Sequence, residues 1–88
     1  MPTTNDAEAL ALAALAATLS DERRARRFLD LTGLEVEELR SRAISGDKAL
    51  LAAVIAFLEN HEPDLVAVAE AVGTSSAALV AARAGLEG

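Results

Sequence analysis

The chain has 88 residues, carries a net charge of −6, and contains no cysteine, which excludes disulfide stapling and thiolate metal or redox chemistry. It is 52% hydrophobic with two Phe and no Trp or Tyr, so its core must be built from Leu, Val, Ile and many Ala. Alanine leads the helix scale and is depleted in sheets, so the expected class is all-α.

Capping residues and glycines divide the sequence into six short helical segments. Asn5, with Glu8 three positions on, reads as a capping box opening a first helix that runs to about Thr18, and residues 1–5 are expected to be disordered. Leu12, Leu15 and Leu19 fall at i, i+3 and i+7 of that helix and form its expected core stripe. A second face, Leu10 and Ala14 with Ala17, is left to pack on another chain. The residues before this apolar segment are acidic, whereas a secretory leader is positive at its start, and eleven residues are too few to span a bilayer. A cytoplasmic protein that makes no membrane contact is therefore expected.

Ser20 is the expected cap of a second helix, DERRARRFLDLT, which Gly33 closes in a left-handed conformation. Glu35 to Ala43 forms a third, ended near Gly46. Asp47 caps a fourth, KALLAAVIAFLEN, in which Leu50, Leu51, Val54, Ile55, Phe57 and Leu58 leave almost no polar face; it is the expected central helix. Pro63 takes the first position of a fifth, which ends at Gly73, and Ser75 caps the sixth. No linker separates these pieces, so residues 1–88 read as a single compact bundle of about six helices.

A shift of forty positions brings the punctuation into register. Glu22 falls on Glu62, Gly33 on Gly73, Glu35 on Ser75 and Leu39 on Leu79. Two pseudo-repeated three-helix units, about 6–46 and 47–86, with helix-turn-helix-like hinges, are expected. The alternative is six similar amphipathic helices whose register is coincidental.

Residues 65–83 follow the helix-turn-helix pattern, with a small residue at Ala69, glycine at Gly73 and an apolar residue at Leu79. Reading DNA also requires Lys and Arg for phosphates and polar side chains for base edges. The last helix supplies Arg83 and little else, and the matching helix of the first half starts with Glu35, Glu37 and Glu38. Nucleic acid is therefore not the expected partner, and a helix-turn-helix-type regulator stands as the alternative function.

One basic cluster, Arg23, Arg24, Arg26 and Arg27, is the candidate face for an anion or an acidic partner. Its competing reading is a salt-bridged solvated surface, because the segment 21–42 has equal numbers of acidic and basic residues. His61 is the sole histidine and has no second nitrogen ligand or nucleophile beside it, so it reads as a surface turn residue. No phosphate-cradling glycine loop, metal site or cofactor site is present, and no enzyme is expected. The leading expectation is a small interaction or regulatory module that binds an unidentified protein or a second copy of itself.

The runs RFLDLTGLEVEELRSRA (27–43), LLAAVIAFLENHEPDLVAVAEAVG (50–73) and ALVAARAGL (78–86) together resemble a family of short bacterial proteins, mostly alphaproteobacterial, catalogued as a domain of unknown function. The most specific part of the resemblance is the turn Thr32-Gly33-Leu34 with its acidic cap Glu35. The resemblance implies a compact all-helical domain and carries no catalytic residue, cofactor or partner.

Overall fold

A computed structural model describes residues 4–87 of the chain, with side chains from 6 onward. The bundle is all-α, as expected, and its helices are α1 Thr4–Leu19, α2 Glu22–Thr32, α3 Val36–Ile44, α4 Lys48–Glu59, α5 Glu62–Val72 and α6 Ser76–Glu87. The disorder expected over 1–5 falls partly on 1–3, outside the described residues; Thr4 and Asn5 belong to α1, so the chain is helical before the anticipated cap.

Helix ends follow local hydrogen-bond chemistry. The cap of α2 is Asp21 rather than Ser20: the carboxylate accepts from the Arg24 N–H at 2.9 Å, while the Ser20 hydroxyl turns back to the Ala17 carbonyl. An ionised cap satisfies a free helix N–H more strongly than a hydroxyl does, and the helix dipole adds to the preference. Asp47 caps α4 as expected, accepting from Leu50 N–H at 3.1 Å. Ser75 accepts from Ala78 N–H at 3.1 Å. At α3, the Glu38 side chain reaches back to the Glu35 N–H. Glu62 precedes Pro63 in α5, which moves the proline from first to second position, where its missing N–H is still harmless. Gly33 (φ 72°) and Gly73 (φ 84°) close α2 and α5 in the left-handed region, as the turns require.

Helix α4 is the centre of the bundle, and all six of its predicted apolar residues are buried. Helices α1 and α6 lie against it and against each other, and α5 leans on α1 and α4. Phe28 from α2 enters this core and meets Phe57 edge-to-face, with ring centroids 5.2 Å apart. Helix α3 is held through Leu39 and packs chiefly on α4.

The orientation of α1 differs from the leucine stripe expected of it. Its buried residues are Ala7, Ala11, Ala14, Leu15 and Thr18, at successive spacings of three or four, whereas Leu12 is 46% and Leu19 36% exposed. The face reserved for another chain is used internally: Ala14 is fully buried, and Leu10 and Ala17 pack against the core. The small face of α1 packs inward against α4, α5 and α6; at the α6 contact a β-carbon on Gly85 would stand at ordinary contact distance, 3.7 Å, from the Ala7 methyl. Alanines on this face let the neighbouring helices pack near α1, and two of the three leucines are turned outward.

Candidate binding groove

The displaced leucines face α3. Leu12, Leu15, Ala16 and Leu19 from α1, with Val36, Leu39, Arg40, Ala43 and Ile44 from α3, line an open groove of about 260 Å³. A second hollow shares Leu12, Ala43 and Ile44 and extends this surface to Glu8 and Gly46. That hollow sets the end of α3, at Ala43 and Ile44, beside Leu12 of α1. Val36 is 53% and Ile44 81% exposed, so four large apolar side chains on two helices present one contiguous surface to solvent. Contiguous apolar surface of this kind marks recognition sites more often than scattered exposed residues do.

Charge at the groove is paired. Glu8 shares its carboxylate with Lys48 at 3.9 Å, and Arg40 lies 4.0 Å from Glu37. Glu35, Glu37 and Glu38 are not among the lining residues of the groove: Glu37 is the partner of Arg40, and Glu38 is turned back to the Glu35 N–H. On the far side of α3, Arg42 pairs with Asp47 at 2.8 Å. The Arg42 hydrogen bond, aided by the Leu50 N–H, holds the Asp47 carboxyl below its usual range. Asp21 is lowered likewise, mainly by the Arg24 N–H.

The four arginines of the sequence-derived face point in two directions. Arg24 and Arg27 turn inward to Asp64 of α5, at 3.4 and 2.9 Å, and the Arg27 guanidinium also lies over the Phe57 ring at 5.6 Å from its centroid. Arg23 and Arg26 stay exposed and line a polar surface hollow with Glu22, Arg27 and Asp30. His61, half exposed, stands at the start of α5 with Nδ1 3.1 Å from Asp64. Asp64 was not legible in the sequence, because a carboxylate in a helix's first turn ordinarily needs no explanation beyond the dipole. Here it joins two helices through two arginines and a histidine.

Helices α5 and α6 meet at 93°, the angle of a helix-turn-helix, with Ala69 and Leu79 buried at the crossing. The solvent face of α6 includes Ala77, Ala81, Ala84 and Glu87. Arg83 is bound by Glu59 and Glu87, and these carboxylates, Glu59 first, raise its pKa. The described residues hold no group of three or more His, Asp or Glu able to bind a metal. No single helix among them is long and apolar enough to cross a membrane.

No curated protein and no solved structure matches the chain. A family model does match, over residues 4–88, and the chain belongs to that family, the proteins of unknown function designated DUF3572.

Proposed function

We propose that the domain is a cytoplasmic protein–protein interaction or regulatory module, without catalysis, that binds through the groove between α1 and α3. The observation that carries this reading is the inverted helix α1, which buries alanines and exposes Leu12 and Leu19 beside Val36 and Ile44. Burying a leucine is worth roughly 1.5–3 kcal/mol. A surface that forgoes part of this gain at two leucines, one valine and one isoleucine is suited to recover it on binding.

The pseudo-repeat supports the same reading. Helices α2 and α5 begin and end forty residues apart, and so do the starts of α3 and α6. We read 6–46 and 47–86 as two copies of one unit. In the second copy α6 lies closely along α4, whereas in the first α3 stands away from α1. The groove is then a place where the first copy leaves open what the second closes.

The right-angle crossing of α5 and α6 favours a second reading, a nucleic-acid-binding regulator. The methyl surface of α6 and the engaged Arg83 weigh against it. Loss of duplex binding in Arg83→Ala, at about 50 mM salt where phosphate contacts are strong, would support that reading instead.

The test compares the native chain with Ile44→Glu by pull-down under native conditions and by sedimentation. Ile44 is exposed, so the variant is expected to keep its fold. Bound protein or self-association that the variant loses supports the proposal. A strict monomer whose recovered proteins are the same for both chains overturns it.

A further inference from the structure

We infer that the occupant of the α1–α3 groove is a second copy of this chain, docked about a two-fold axis beside α3. The inference rests on the reading of this groove as a binding surface and names what fills it. Ile44, 81% exposed, stands where three hollows meet: the groove, its extension to Glu8 and Gly46, and a third on the outer side of α3 that holds Glu37, Arg40 and Ser41. One face thus carries both a projecting apolar side chain and an apolar hollow able to receive one. A two-fold contact uses the same patch on both partners, so knob and hollow must share a face in this way.

Charge on this face suits a copy of itself. Glu8 and Lys48 form one pair and Glu37 and Arg40 another, two negative and two positive side chains, whereas the whole chain has 14 acidic against 8 basic residues. The acidic excess therefore lies elsewhere, and two copies can meet here without the repulsion that a net −6 would otherwise impose. Both pairs are loose, at 3.9 and 4.0 Å, and the Arg40 and Glu37 side chains are 66% and 83% exposed. Pairs of this kind are worth little within one chain, so their members are free to pair again across an interface.

A two-fold axis beside the middle of α3 sets the two α3 helices antiparallel, with Val36 of each toward Ile44 of the other. Arg40 then lies within one turn of the partner's Glu37, since three residues rise about 4.5 Å. Near the axis each Arg40 has a glutamate from both copies beside it, which offsets the approach of the two guanidinium groups. The Val36 and Ile44 side chains of each copy cover the exposed Leu12 and Leu19 of the other.

The test is sedimentation of the full chain across concentration, with the variants Ile44→Glu, Glu37→Arg and Arg40→Glu, whose folding is checked by thermal melts. A reversible dimer is expected, with a dissociation constant raised at least tenfold in Ile44→Glu and at least threefold in each charge variant alone. An equimolar mixture of Glu37→Arg and Arg40→Glu sets two arginines on one copy against two glutamates on the other. It is expected to form a heterodimer at least tenfold tighter than either variant with itself. A strict monomer up to about 1 mM, where even a weak specific contact registers, overturns the inference. So does a dimer indifferent to Ile44→Glu, or a mixture that associates no better than its components. If the chain is monomeric but Ile44→Glu still loses proteins recovered by the native chain, the interaction-module reading stands and only the choice of a second copy falls.

Discussion

Asp64 joins helices through several side chains at once. Its side chain is only 15% exposed, and it takes Arg24, Arg27 and His61 together, so α2 is tied to α5 beside the Phe28–Phe57 contact. Arg24 is equally buried, and its Nε is the one buried side-chain nitrogen or oxygen among the described residues without a hydrogen bond; its 3.4 Å contact with Asp64 is an ion pair of poor hydrogen-bond geometry. Removing the carboxylate would leave that sequestered guanidinium with only the Ala17 carbonyl at 3.5 Å and Asp21 at 4.0 Å, which costs more than the pair itself is worth. Asp64→Ala is therefore expected to lose about 2–3 kcal/mol of stability in urea melts, and His61→Ala, at a half-exposed position, less than about 0.5 kcal/mol. Equal losses for the two variants would contradict this role. From the sequence Arg23, Arg24, Arg26 and Arg27 form one patch, because i, i+3 and i+4 spacing shows which residues are neighbours on a helix. It does not show which of them will find a carboxylate from a helix forty residues on.

At the scale of the element, the instructive helix is α1. Its apolar residues surround it almost evenly, so periodicity identifies the helix but leaves its rotation open, and leucine size suggests the wrong side. Rotation is set by the partner helix: α6 brings Ala78, Ala82 and Gly85 to the crossing, and alanines answer them. Leu12→Ala is expected to change stability by less than about 1 kcal/mol, far below the 2–5 kcal/mol of a leucine in a core stripe. Ala11→Leu is expected to cost about 1–3 kcal/mol by overpacking, since Ala11 is fully buried. Thermal melts of the two variants suffice to test the rotation. Helix α4 is the opposite case. An element apolar on every side can only be surrounded, and its place was legible from Leu50 to Leu58 without knowledge of its neighbours.

For the whole molecule, helix number, glycine stops and the caps Asp47 and Ser75 were legible because each depends on residues within four positions of one another. The groove was not, because it arises from how far α3 stands from α1, a distance set by packing between halves. The acid response belongs at this scale too. Asp21 and Asp47 hold lowered pKa values in the folded chain, so below the ordinary aspartate range, about pH 4, the unfolded chain takes up protons that the folded chain resists. Their contribution is present above that range and is lost as pH falls through it. Asp47→Asn is expected to melt lower than the native chain at pH 7, with the difference closing toward pH 3.

The crossing of α1 on α6 divides α1 into two sides with different freedom to change. Ala7, Ala11 and Ala14 are buried, so added volume there must be taken up by the packed helices around them and the smallest residues are favoured. At Leu12 and Leu19 a side chain can grow, shrink or branch without disturbing the crossing. Relatives of this chain can thus acquire or exchange binding preferences along one edge of a helix while its other edge keeps the fold constant.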